Sequence, residues 1–496
     1  VNTYNLGCGQ YVVNGFFGGD ATKCTSAPGP LFTGFGQSVR TLPGVTTPSA
    51  LVFPQQKPEL HYPTTIESSL DAGLVTPKNY TWSLTYEREL GHGAMVQFSY
   101  IGRAGRHLLA QRDVMTPANL RDPKSGMDWY TAATILEKAR QSGTDPSYFA
   151  AHPIPYFENL FSPLISAWGY TNATEAVYDD AYSYNANDWT TTMLDIDGYS
   201  TTPIAPGQKY SHAFYQPQYG ALATWTTIGI SNYNAFAVSF RERLSSLTLD
   251  ANYTFSHSLD NASGLQTNDG FSSAALILNP FRPQDNYAAS DFDMRHIINV
   301  NSVWQIPVGK GKKFMGDSHG VVNAIIGGWQ LSNIFRWNSG IPFGAPYDAN
   351  TWSTNWENQS GMTRTTPLNN GGCPTRVVPG TDNPKFFGNC LDSAFSSFRS
   401  SYPGETGERN TFRFPSYIVL DMGLGKTWNI TEKTSLEFRW ETFNLTNTQK
   451  FGENLDYSRS GWGIIPGATA PTSNFSNFVQ IQGTPRNMQF GLRLSF

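Results

Sequence analysis

Across 496 residues, charged side chains make up only 15% and aromatics 14%, and no run of about 18 apolar residues occurs, which excludes membrane-spanning helices. The net charge of −4, with no basic run beyond Lys310, Lys312 and Lys313, argues against a nucleic-acid partner. Few charges with many aromatics suit a membrane β-barrel, where only alternate residues meet lipid, although a large soluble β-protein fits the same composition.

The chain opens on Val1–Lys78, which reads as an external loop region; Gln37–Leu42 and Thr47–Phe53 are poor strand candidates within it. No export signal is visible, so an exported protein would have lost one upstream. The four cysteines fall into two local couples, Cys8 with Cys24 and Cys373 with Cys390. Their loop-like spacing argues for two disulfides in an oxidising compartment. Zinc is the weaker alternative, since neither couple has CxxC spacing or a neighbouring histidine.

Alternation begins at Tyr80, Trp82, Leu84 and Tyr86, set against Thr81, Ser83, Thr85 and Glu87. This is the period-2 pattern of a strand with one apolar face. A tight turn at Gly91-His92-Gly93 leads to Val96, Phe98 and Tyr100, opposed by Gln97 and Ser99. Asn232–Arg243 repeats the pattern with Phe236, Val238 and Phe240. After a short turn, Leu247, Leu249, Ala251, Tyr253 and Phe255 oppose Thr248, Asp250, Asn252, Thr254 and Ser256.

Further strands are expected at Arg295–Ile306, Trp329–Asn338, Ser416–Trp428, Ser435–Leu445 and Asn487–Phe496, nine in all. In Ser435–Leu445 the residues Leu436, Phe438 and Trp440 face one way, and Glu437, Arg439 and Glu441 the other. Charges on one face of so apolar a strand fit a polar lumen. The final strand is apolar at Met488, Phe490, Leu492, Leu494 and Phe496. In water it would be an exposed liability. In an outer membrane it is a barrel strand, and Phe490, Leu492, Leu494 and Phe496 form the expected assembly signal for the barrel assembly machinery.

The expected fold class is therefore all-β, an antiparallel transmembrane β-barrel with long extracellular loops, its strands spread over residues 79–496. Short connections at Leu90–Gly93, Leu244–Ser245 and Asn429–Lys433, and a moderate one at Pro307–Gly328, alternate with long ones over 105–231, 259–294, 339–415 and 446–486. Short periplasmic turns and long extracellular loops alternate in this way. The same assignment puts all four cysteines on the external side. Nine strands is an odd number where bacterial barrels have an even one, so the chain is expected to be the C-terminal part of a larger barrel, or to hold strands missed in Val1–Lys78. Within the first long loop, Asp128–Arg140 has helical propensity, an aspartate at its start and basic residues near its end.

Several segments together resemble one family. They are Trp82–Leu90, Tyr100–Leu108, Ser231–Ala235, Tyr253–Ala262, Asp291–His296, Gly327–Leu331, Ser339–Phe343 and Phe443–Asn447. In this order they are similar to the C-terminal barrel half of Oar-like TonB-dependent receptors, especially those of Acidobacteria. Tyr156-Phe157-Glu158-Asn159-Leu160-Phe161 resembles an external-loop motif of that group. The resemblance implies a barrel of about 22 strands with an N-terminal plug, importing a large or scarce solute through the TonB complex. The plug, the TonB-engaging motif and any carboxypeptidase-like domain are not in these residues, so contact with TonB would need a region outside them.

The best binding candidates are loop aromatics, Tyr178, Tyr182, Tyr184, Trp189, Tyr199, Trp352 and Trp356, whose flat faces and polar handles suit a glycan, a peptide or a metal chelate. The alternative is that each holds its loop together. Trp82, Trp304, Trp329, Trp337, Trp428 and Trp440 lie near expected strand ends and fit interfacial girdles. Asp291, Asp293, Arg295 and His296 read as salt bridges in the barrel wall. Asp195-Ile196-Asp197-Gly198 and Asn268-Asp269-Gly270 offer oxygen ligands without full calcium-loop spacing, and Asp-Gly is commonly a turn. His92, His107 and His257 read as strand-end or loop residues. No catalytic motif, metal site or cofactor is expected. The competing functional expectation is a structural or adhesive surface protein that self-associates or binds other proteins without transport.

Overall fold

Period-2 alternation becomes long strands once every residue of the apolar face has a neighbour in register. The computed structural model describes residues 66–185, 188–199, 212–216, 219–264, 276–352, 359–368, 375–378, 383–451, 455, 462–464, 470–479 and 481–496. The main sheet holds β1 (Ile66–Leu70), β2 (Lys78–Gly91), β3 (Ala94–Asp113), β4 (Ala221–Arg243), β5 (Leu247–Asp260), β6 (His296–Gln305), β7 (Trp329–Asn338), β8 (Tyr417–Asn429), β9 (Ser435–Phe443) and β10 (Asn487–Ser495), with the two-residue strands Leu276–Ile277 and Ala288–Ala289 added beside β3 and β5. From β2 to β10 each strand pairs antiparallel with the next in sequence, an up-and-down wall with no crossover. Each of the nine alternating segments is a strand of this wall.

Register explains the two faces. Phe98 pairs with Val238, Val238 with Tyr253, Tyr253 with Ile298, Ile298 with Trp337 and Trp337 with Ile418. One residue out of phase, Gln97, Ser239, Asn252, Asn299 and Arg336 form an equally continuous polar row. A slip of one residue would exchange the faces, so pattern and register fix each other. On the apolar face Phe236 and Phe255 are each 44% exposed. Both hydrophobic cores among the described residues lie in the long connections, not against this face.

Antiparallel order gathers the short connections at one end of the wall and the long ones at the other. The first turn has φ of 55° at His92 and 78° at Gly93, the two positive values a type I′ hairpin needs. A Cβ on Gly93 would also lie 2.6 Å from the Arg243 carbonyl oxygen.

The first long connection is shorter than alternation suggested, because β3 and β4 continue to Asp113 and from Ala221. Register shifts between Gly105 and Leu108 and again before Ala110, with His107 at φ 58°, break the parity there. The arm these extensions form also takes β1, parallel to Ala221–Trp225, so part of the segment expected as loop up to Lys78 is strand. Gln37–Leu42 and Thr47–Phe53 lie outside the described residues.

Helices occupy much of this connection, the longer ones being α1 (Trp129–Gln141), α2 (Pro155–Phe161), α3 (Ala173–Asp179) and α4 (Trp189–Tyr199), with shorter ones at Tyr148–Ala151 and Pro163–Trp168. A further helix, α5 (Gly320–Ile326), lies in the turn-end connection between β6 and β7. The expected helix at Asp128–Arg140 is α1; the Asp128 carboxylate accepts from the Thr131 amide at 2.8 Å, and Lys138 and Arg140 occupy the last turn.

Candidate functional site

At the loop end the chain must build its own interior, and it does so around Trp129. This ring packs against Tyr156, Phe157, Trp189 and Phe214 at centroid distances of 6.5, 6.1, 6.1 and 4.7 Å. Beneath them the fully buried Glu137 accepts from Arg140 at 2.5 and 2.8 Å, from Gln141 at 2.7 Å and from the Trp189 indole at 3.0 Å. A buried carboxylate met by this many donors is neutralised locally.

The motif Tyr156–Phe161 is structural residue by residue. Tyr156, Phe157 and Phe161 are core, and Asn159 donates to Asp122 at 2.7 Å. Glu158 accepts the Ala173 and Thr174 amides at the start of α3, at 3.1 and 2.8 Å, which supplies partners for donors a helix leaves unpaired.

Two of the expected binding aromatics are corrected by this core. Tyr178 is 0% and Trp189 1% exposed, so neither offers a face to a solute. The Tyr178 hydroxyl donates to the Thr144 carbonyl at 2.7 Å, and both rings serve the loop's interior. Tyr182 and Tyr184, in a short π-helical turn after α3, are 39% and 73% exposed and remain available. Tyr199 ends α4 and Trp352 ends a strand at Tyr347–Trp352, but their side chains lie outside the described residues, as does all of Trp356. Cys8, Cys24 and Cys373 also lie outside them, and Cys390 precedes the short helix Leu391–Phe395.

Asp195 and Asp197 do not act together. Asp197 is buried and accepts the backbone amides of Ala213, Phe214 and Tyr215 at 2.8–3.2 Å. Burial nonetheless pushes its carboxyl up to about 7. Asp195 instead shares Asn185 with Asp180, whose carboxyl burial and the Asp195 charge raise to about 7. Among the described residues no cluster of histidine, cysteine and carboxylate side chains could hold a metal ion. Asn268-Asp269-Gly270 lies outside them.

A second aromatic core holds the long connections that precede β8 and β10, with Phe343, Phe386, Phe387, Phe412 and Trp462 at its centre. Buried Lys385 ties two of these connections, donating to the Ser473 carbonyl at 2.5 Å and Asn477 Oδ1 at 2.6 Å. The connection that precedes β8 is tied to β5 and to the connection before β6 through the expected acidic cluster. Asp293 accepts from Arg413, lies 3.0 Å from Arg295 and receives the Ser258 amide at 2.6 Å. Asp291 pairs with Arg409 at 3.0 Å, and Arg409 also meets Asp260 at 2.9 Å. His296 joins differently, stacking beside Tyr253 with a 2.9 Å hydrogen bond. The sequence signalled the carboxylates; Arg409 and Arg413, more than a hundred residues away, carried no local signal.

Below the loops, the polar face of the wall holds a mainly apolar groove of about 510 Å³, lined by Val303, Ile334, Met422 and Phe443 with Asp250 and Asp421 at its sides. A second groove of about 400 Å³ runs past Gln330, Glu437 and Arg439. Arg439 lies 3.7 Å from both Glu437 and Glu441, and Arg241 lies 3.5 Å from Asp250. The face under the ordered loops thus offers an apolar and a polar groove, with charged pairs between them.

A family model described as outer membrane beta barrel domain matches residues 7–489. No curated protein matches the chain. Among solved structures, the chain is similar to the outer membrane transporter YddB from Escherichia coli, at 8% identity and a TM-score of 0.33, over 88% of this chain and 34% of that one. It is also similar to P. aeruginosa FpvA bound to heterologous pyoverdines, at 8% identity and a TM-score of 0.27, over 84% of this chain and 27% of that one. The FpvAI–pyocin S2 complex gives the same identity and TM-score, with 84% and 26% covered. The chain therefore spans about a third or less of the chains it matches.

Proposed function

The chain belongs to the outer membrane beta-barrel domain family, and from that premise we propose that it is the strand-bearing part of a TonB-dependent receptor, of the Oar-like kind, that captures a solute on its loops and passes it through a plugged lumen. The loop end faces the cell exterior in this reading, and the turn end the periplasm. The observation that carries it is the pairing of a polar groove on this face, past Gln330, Glu437, Arg439 and Glu441, with long connections that fold into cores of their own. A wall that only anchored would need neither. Ordered loops cost conformational entropy, and the polar groove past Glu437, Arg439 and Glu441 suits polar cargo better than lipid.

The solute is a glycan, a peptide or a metal chelate, met first by exposed aromatics such as Tyr182 and Tyr184. Energy reaches the barrel from the TonB complex through a region beyond these residues. The barrel assembly machinery reads Phe490, Leu492, Leu494 and Phe496, which are 72, 70, 56 and 97% exposed. No catalytic step belongs to this reading.

The test is uptake by intact cells carrying the full-length protein, using a labelled oligosaccharide, a peptide and a ferric chelate. Accumulation of one class, abolished by a protonophore and by deleting residues 114–220, is the expected result. Failure of every class to accumulate above a barrel-free control overturns it. One observation favours a second reading, a structural or adhesive surface protein: Tyr184 projects from a loop layer rigidified by two aromatic cores. Cell clumping without uptake would support that alternative.

A further inference from the structure

The connection between β6 and β7 lies at the turn end and carries apolar side chains that nothing among the described residues covers. Val321, Val322 and Ile325 of α5 are 76, 51 and 63% exposed, and Phe314 and Met315 in the turn before it are 55 and 58% exposed. At about 100° per residue, Val321, Ile325, Val322 and Ile326 share one side of the helix. Asn323 stands opposite and turns into its own loop, where it accepts the Lys310 amide at 2.7 Å. An apolar arc this exposed on a short helix needs a non-aqueous neighbour.

The wall says where that neighbour is. Ile418, Leu420, Met422, Leu424, Lys426 and Trp428 alternate along β8 and so share the apolar face. Lys426 Nζ donates from that face to the carbonyls of Ala324 and of Ile325, the latter at 3.1 Å. The indole of Trp428 donates to the Ala324 carbonyl at 2.7 Å, and that of Trp329 to the Ile325 carbonyl at 2.8 Å. The ammonium also sits 5.1 Å from the Trp428 ring and 5.2 Å from the Trp329 ring.

The last carbonyls of α5, unpaired within any helix, are thus capped by a cation and two indoles. A lysine on the lipid side of a wall has to reach oxygen at the interface, and here α5 supplies it. The helix is held against the outer rim of the barrel, where lipid headgroups begin. Trp304, Trp329 and Trp428 cluster at this same end, as interfacial aromatics do. Exposed Lys310, Lys312 and Lys313 face a single acidic residue, Asp317, within 307–328, giving three minus one, or +2.

We propose that α5 and the Phe314–Met315 turn form an interfacial anchor, with the apolar arc in the acyl region of the turn-end leaflet and the three lysines on phospholipid phosphates. The inference rests on the membrane placement of the wall and not on the transport reading.

The test reconstitutes the full-length protein in vesicles of phosphatidylethanolamine and phosphatidylglycerol carrying a trace phospholipid with a photoactivatable acyl chain, and maps the adducts by mass spectrometry. Adducts on residues 314–326 are expected, alongside those on the wall peptides that hold Phe335 and Leu420. Val321→Asp with Ile325→Asp should lower the helix adducts at least about fivefold while leaving the wall adducts unchanged. Lys310→Glu, Lys312→Glu and Lys313→Glu together should lower them in phosphatidylglycerol vesicles but not in pure phosphatidylcholine. Wall adducts without helix adducts, or helix adducts indifferent to both sets of substitutions, overturn the anchor. Absence of both kinds of adduct overturns the membrane placement as well. Should the variants fail to assemble, the wild-type adduct map decides alone.

Discussion

Phe255 in the wall and Phe157 in the loop layer are the same side chain in opposite circumstances, one 44% exposed and the other fully buried. The wall is one residue thick, with its polar rows opposing its apolar rows, and it leaves the apolar ones for lipid to cover. The loop layer has no such solvent beside it, so its aromatics must turn inward on each other around Trp129 and around Phe412. Apolar content is therefore no guide to position in this protein; the period of the pattern is.

The largest expected effect separates the two regions. Trp129→Ala should cost the loop layer about 3–5 kcal/mol, as large aromatic deletions in a core do. Proteolysis should then cut between residues 114 and 220 while the wall keeps the heat-modifiable gel migration of a folded barrel. Loss of both together would mean that the regions fold as one. The converse is Phe335→Arg, in the middle of the apolar row, at about 2–4 kcal/mol for a cation facing lipid. Urea titration of the protein in vesicles measures it, and an unchanged midpoint would deny lipid contact at that row.

A rivet between the regions should be worth less. Removing one charged hydrogen-bond donor by Arg413→Ala leaves Asp293 with Arg295 and the Ser258 amide, so the expected loss is about 1.5–3 kcal/mol. Hydrogen exchange should report it as faster opening of residues 398–414, with the strands unaffected. Smaller again is a pH effect confined to the loop layer. Burial raises Asp197 to about 7 in the folded chain, so the folded state holds a proton that the unfolded state releases at lower pH. Its contribution is present below the unfolded carboxylate pKa of about 4 and is lost as pH rises towards the folded value. Protease resistance of the layer should therefore fall across that window. Asp197→Asn should make the slope shallower without abolishing it, since Asp180 is raised as well.

Most of the wall was legible in the sequence because lipid imposes a strict period of 2, and antiparallel order then dictates which connections share an end. The reading failed where the physics stopped being periodic. At Gly105–Leu108 a register shift flips the parity, which hid the strand extensions to Asp113 and from Ala221. Trp189 and Tyr178 looked like binding aromatics because a ring in an irregular loop has the same letter whether it faces a solute or a core. Glu137 was not singled out at all. Its significance comes from Arg140, Gln141 and Trp189 converging on it, a tertiary arrangement. Arg409 and Arg413 were invisible for the same reason.

Tyr178 and Tyr184 give the comparison its finest resolution, being six positions apart and opposite in exposure. Tyr178→Phe removes a hydroxyl that donates to the Thr144 carbonyl, and should cost about 1 kcal/mol of loop-layer stability with no change in solute capture. Tyr184→Ala deletes a ring that is 73% exposed, so its stability change should stay within about 0.5 kcal/mol. Yet if exposed aromatics are the first contact for solute, the same variant should weaken capture by intact cells about tenfold, the equivalent of 1.4 kcal/mol. Binding isotherms on cells, paired with thermal melts of the purified protein, separate the two tyrosines. Equal capture by the Tyr184→Ala variant and the wild type would move the first contact away from this turn, to aromatics elsewhere in the layer.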